Sequence, residues 1–122
     1  MKLIATTEDV FAASRLQMMI KKAIKGEDAS GSKIDTWAYT RSGDNFDIIY
    51  HNVPQYVDEP EKNVIFRMEL DGCNLVFQTA HWVSKPAPSR EMDSLHTGRL
   101  LEMLLTHFST QISQVSVTNF NY

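Results

Sequence analysis

Val64-Ile65-Phe66-Arg67-Met68-Glu69-Leu70-Asp71-Gly72-Cys73-Asn74-Leu75-Val76-Phe77-Gln78-Thr79-Ala80 decides the fold of this 122-residue chain. From Val64 to Leu70 apolar side chains recur at every second position. Asp71-Gly72 supplies a turn, and Asn74 to Val83 returns. Asp-Gly suits the positive backbone angles of a type I′ hairpin turn. A two-residue loop sets Met68 opposite Leu75, Phe66 opposite Phe77 and Val64 opposite Thr79. A four-residue loop shifts these pairs without moving any residue to the other face.

Upstream, Ile34 to Asn52 reads as another hairpin, turning at Ser42-Gly43-Asp44-Asn45. With four residues in the loop, Arg41 faces Phe46, Tyr39 faces Ile48 and Trp37 faces Tyr50. Trp37, Tyr39, Phe46, Ile48 and Tyr50 then form one apolar wall, expected to be core. Thr36, Ala38, Thr40, Asp47, Ile49 and His51 form a mixed face, expected to be wetted.

A helix is expected on either side of these hairpins. The first runs from about Glu8 to Lys25, capped by Thr6 or Thr7 and stopped at Gly26. Ala12, Ala13, Leu16, Met19, Ile20, Ala23 and Ile24 share one face of it. The second runs from Arg90 to Phe108 or Ser109, capped by Ser89, with Leu100, Leu101, Leu104, Leu105 and Phe108 as its stripe. Gly98 weakens it or permits close packing. Lys2 to Thr6 and Gln114 to Val117 read as flanking strands, and Glu27 to Lys33 as a polar loop.

The element order is therefore β-α-β-β-β-β-α-β. It implies a single domain over residues 1–122: an α+β two-layer sandwich, a mostly antiparallel sheet with two helices on one face. The length suffices to bury a core without disulfide or metal. One cysteine, Cys73, excludes an intrachain disulfide. There is no run of about 18 apolar residues and no signal-peptide core, so a cytoplasmic protein is expected.

Motifs of catalysis are missing. His51, His81, His96 and His107 have no metal-site spacing; the last two stand about 16 Å apart along a helix. No base is identifiable for Cys73, and there is no phosphate-binding glycine loop. Trp37, Tyr39 and Tyr50 on a sheet could stack bases, but no basic run accompanies them. The net charge is −3, which disfavours a nucleic-acid binder. No catalytic residue, metal or cofactor is assigned.

The expected function is protein binding by occlusion or escort, in the manner of an immunity-type inhibitor of a toxin or a small acidic secretion chaperone. The acidic two-proline connector Asn52–Glu61 is its first candidate surface, with Tyr56, Asp58, Glu59 and Glu61 poised for a basic partner. Phe11 and Met18, projecting away from the apolar stripe of the first helix, are the second, for a partner or a homodimer. The rival expectation is a small-ligand protein or enzyme whose pocket lies between sheet and helices and uses His81, His96 or His107.

Overall fold

Asp9, not Thr6 or Thr7, starts the first helix: its carboxylate accepts the Ala12 N–H at 2.7 Å. Thr7 is buried instead, and both its N–H and its hydroxyl reach the Cys73 carbonyl, at 2.9 and 2.7 Å. That ties the helix start to the tip of the second hairpin. At the other end Gly26 takes φ 74°, and the N–H groups of Gly26 and Glu27 turn back to the carbonyls of Ala23 and Lys22. This left-handed closure is where glycine costs least.

The computed structural model describes residues 1–27, 34, 36–82 and 84–119. Most of the expected polar loop Glu27–Lys33 lies outside them. The elements are β1 (Lys2–Thr6), α1 (Val10–Lys25), β2 (Trp37–Arg41), β3 (Asp47–His51), α2 (Pro54–Val57), β4 (Ile65–Asp71), β5 (Asn74–Ala80), α3 (Arg90–His107) and β6 (Gln114–Thr118). Short 3-10 turns at Pro60–Lys62 and Ser109–Gln111 complete the chain. The six strands form one antiparallel sheet in the order β2-β3-β4-β5-β1-β6.

Helices α1 and α3 pack on the same face, giving the α+β two-layer sandwich. Leu16, Ile20 and Ala23 of α1 and Leu100, Met103, Leu104 and Phe108 of α3 meet Leu3, Ala5, Ile49, Phe66, Met68, Leu75 and Phe77 of the sheet in one cluster. Ser89 caps α3 by accepting the Met92 N–H. Leu105, expected in the stripe of α3, is half exposed, whereas Asp93, His96 and Thr97 are buried.

Both hairpins differ in register from expectation, with opposite consequences. In β4–β5 the tight turn is Gly72-Cys73, Asp71 pairs with Asn74, and Met68 pairs with Phe77. Of the turn residues only Gly72 has positive φ, at 59°, the pattern of a type II′ turn and not type I′. The shift is two residues, so every side chain keeps its face.

In β2–β3 the shift is one residue. Asn45 adopts the left-handed region at φ 66°, its N–H donates to the Ser42 carbonyl, and the Ser42 N–H donates to the Phe46 carbonyl, both at 3.0 Å. The loop is Gly43-Asp44-Asn45, three residues, and Trp37 pairs with His51, Tyr39 with Ile49 and Arg41 with Asp47. A one-residue slip exchanges the two faces. Asp47, Ile49 and His51 thus join Trp37 and Tyr39 beneath the helices. Phe46, Ile48 and Tyr50, expected in the core wall, lie on the opposite face.

That opposite face is partly covered. Ile48 and Ile65 are buried there, Trp82 meets Tyr50 edge-on at 6.4 Å, and the Arg67 guanidinium lies 3.5 Å from the centre of the Phe46 ring. On the helix side, Asp47 accepts from the Tyr39 hydroxyl at 2.5 Å, Gln17 Nε2 at 3.1 Å and Lys21 Nζ at 3.3 Å. These bonds clamp α1 to the first hairpin. Burial and then the bond to Asp47 push the Tyr39 hydroxyl pKa above its usual value.

Candidate functional site

The register of β2–β3 places His51 at the end of β3, on the helix side, opposite Trp37. Helix α3 brings His96 against it, and the short helix α2 turns Tyr56 inward. The ring centroids lie 5.2 Å apart for Trp37 and His51, 5.6 Å for His51 and Tyr56, and 4.5 Å for Tyr56 and His96. His51 and His96 stand edge to face at 6.4 Å.

His96 is completely buried. Its Nε2 lies 3.0 Å from the Lys62 carbonyl, which can only accept, so Nε2 carries the proton and Nδ1 is bare. The Nδ1 atoms of both histidines and Asn63 Oδ1 are buried without hydrogen-bond partners. Burial lowers the His96 pKa, against the opposing pull of the Lys62 carbonyl. Burial, and then Arg99, lowers that of His51. Both rings are therefore neutral at neutral pH.

Beside this cluster a cleft of about 310 Å³ opens between the start of β2 and the last turns of α3. His51 and Trp37 form its inner wall. Arg99, Glu102, Thr106 and His107 supply polar groups from α3. Arg99 and Glu102 pair at 3.5 Å, both well exposed. The cleft could seat a small polar molecule, with Arg99 as a cation and Glu102 as an anion on its α3 wall. Among the described residues no group of three or more His, Cys, Asp or Glu is placed to hold a metal ion.

The structure separates the residues expected at a partner surface. Tyr56, expected to be exposed, is 6% accessible and packs on the two histidines. Pro54 occupies the first turn of α2, where its missing N–H costs nothing, and this turn swings the tyrosine inward. Asp58, Glu59 and Glu61 remain exposed. Glu59 pairs with Lys62 at 2.7 Å, so part of the acidic charge is compensated within the connector.

On α1, Phe11 is 79% and Met18 53% exposed, with Val10 beside them. Arg15 lies between Phe11 and Met18 on the same helical face. Of the rival pocket residues, His107 lines the cleft and His96 backs it, but His81 lies elsewhere, exposed, its Nδ1 near the Trp82 and Lys85 carbonyls. Cys73 is a half-buried free thiol at the hairpin tip. Sequence reasoning misses His51 as a site residue because its face depends on the length of the Gly43–Asn45 loop.

Comparison with family models, with curated proteins and with solved structures yields no match. Among the described residues no helix is long and apolar enough to cross a membrane.

Proposed function

We propose that the protein is a cytoplasmic binding module that acts on another polypeptide by occlusion or escort, as an immunity-type inhibitor or a small secretion chaperone does. The observation that carries this reading is the outer face of α1. The helix buries Ala13, Leu16, Ile20 and Ala23 completely, yet leaves Phe11 almost bare, with Val10 and Met18 half exposed or more. A phenylalanine held out on a rigid helix offers a large contact at small conformational cost. Arg15 within this patch adds a cation to it, while Asp58 and Glu61 supply exposed acidic charge on the connector.

The test is retention of an identified polypeptide by the purified chain. Phe11→Ser with Met18→Ser should abolish retention while His51→Ala with His107→Ala leaves it intact. Retention that survives the α1 changes would sink this reading of the surface.

The cleft favours a second reading, a small-ligand protein, because a cavity of about 310 Å³ is lined by His51, Arg99, Glu102 and His107 together. Thermal-shift screening with small polar molecules separates the two. A shift that His51→Ala abolishes and Phe11→Ser leaves unchanged would transfer the function to the cleft.

A further inference from the structure

Strand β6 ends the sheet, and among the described residues no strand pairs with its outer edge. In an antiparallel ladder each residue turns its N–H and C=O to the same side, alternating along the strand. Thr7 N–H donates to the Cys73 carbonyl and Thr79 N–H to that of Met1, so Met1, Leu3, Ala5 and Thr7 serve β5. Lys2, Ile4 and Thr6 therefore serve β6, where their partners are Thr118, Ser116 and Gln114. Val115 and Val117 are left with their backbone groups directed outward.

The sequence of that edge, Gln114-Val115-Ser116-Val117-Thr118, has the same pattern read in either direction from Ser116. A two-fold contact requires such self-complementarity, each residue meeting its mate twice. Antiparallel pairing of two copies about Ser116 sets Val115 of each against Val117 of the other, and each such pair exchanges both of its backbone hydrogen bonds. The two Ser116 residues then meet in a close, non-hydrogen-bonded pair, with Cα atoms about 4.5 Å apart.

Charge permits the same contact. Residues 109 to 119 include no Asp, Glu, Lys or Arg, in a chain with 12 basic and 15 acidic residues. Strand edges that stay solitary are usually guarded by lysine, proline or a bulge, and β6 has neither lysine nor proline. Its helix-side neighbours are apolar as well. Val117 is 47% and Leu105 49% exposed, and they flank a groove with Leu101, Ile112 and Val115.

We propose that β6 is a self-association edge, through which two copies of the chain pair antiparallel along Gln114–Thr118. A two-fold axis perpendicular to the sheet joins six strands to six, keeps both helix layers on one side and sets Val115 of each copy against Val117 of the other on the helix face. This contact is independent of the Phe11–Met18 surface.

Light scattering on the full chain should give twice its 13.9 kDa, and Val117→Lys should give a single chain with unchanged far-ultraviolet circular dichroism. In a Cys73→Ala background, Ser116→Cys should oxidise to a disulfide-linked dimer. Thr40→Cys, on the opposite edge strand, should not. A wild-type mass of one chain at high micromolar concentration, or no cross-link from Ser116→Cys, overturns the proposal. So does a dimer that survives Val117→Lys and is lost with Phe11→Ser.

Discussion

Acid should loosen this protein through His96. The imidazole is fully buried, and its protonated Nε2 already donates to Lys62, so a second proton would have to sit on Nδ1, which faces no acceptor. The groups around it are His51, which opposes the charge, and Asp93, which favours it. His51 in turn faces Arg99, which opposes its charge, and Glu102, which favours it. Both pKa values are lowered from 6.5 by burial. Below that value the unfolded chain binds protons that the folded chain refuses, so stability is full above about pH 6.5 and falls as pH drops toward the folded values. The proton refused by His96 steepens the fall by at most about 1.4 kcal/mol per pH unit, and the more exposed His51 adds less. Between pH 6.5 and about pH 5, His96 alone accounts for at most about 2 kcal/mol, a large share of a total stability of about 5–15 kcal/mol.

Urea titrations followed by tryptophan fluorescence between about pH 8 and pH 5 measure this slope. The carboxylate background is removed by comparison with His96→Leu. That variant should lose about 1–3 kcal/mol at about pH 8, where the Lys62 carbonyl is left without its donor. Below about pH 6.5 its slope should be shallower than that of the wild type by up to one proton. Equal slopes in the two proteins would refute the assignment of His96 as a neutral buried base.

Gly98 lies mid-helix in α3, and a methyl group added to its Cα would meet no packed neighbour within 4 Å beyond the backbone of its own helix, so Gly98→Ala should stabilise by about 0.5–1 kcal/mol and raise Tm by about 2–4 °C in calorimetry. Asp47→Ala should cost about 1–3 kcal/mol in chemical denaturation, because Tyr39, Gln17 and Lys21 all lose their acceptor. Asn45→Ala should cost about 1–2 kcal/mol while Asn45→Gly is tolerated, since the position holds φ 66°. Equal stability of these two variants would contradict the three-residue loop.

Much of the architecture is legible in the sequence because its signals survive small errors. The β4–β5 alternation keeps Phe66, Met68, Leu75 and Phe77 on one face under a shift of two residues, which is the shift observed. Leu16, Ile20 and Ala23 recur at helical spacing with nothing polar between them on that face, and they are buried residues of α1. The first hairpin is not legible, because three- and four-residue loops differ by one and that difference exchanges the faces. Only the backbone angle of Asn45 distinguishes them. The histidine cluster is hidden by the same ambiguity: alternation with a four-residue loop puts His51 on the wetted face. Helical periodicity puts His96 at the edge of a leucine stripe, whereas α3 buries Asp93, His96 and Thr97 alongside its leucines. Tyr56 is misplaced by sequence because two prolines signal a solvated connector, whereas Pro54 starts a helical turn. Helical periodicity sets Phe11 and Met18 away from the buried stripe, but cover by the N-terminal strand or a loop is equally open to the sequence, and their exposure decides against it.

The position of β1 has a kinetic consequence. This strand is an inner member of the sheet, held by β5 on one side and β6 on the other, with Leu3 opposite both Phe77 and Val117. During synthesis it precedes both partners, and its pairing with β6 waits for every element from α1 to α3 to emerge. The two ladders close long loops, so their entropic cost is met before much of the core forms, and folding should be slow for a chain of this size. The meander from β2 to β5 pairs only neighbours in sequence and can form earlier. The edge of β5 then stays open until β1 docks, and nascent chains are most prone to mispair in that interval.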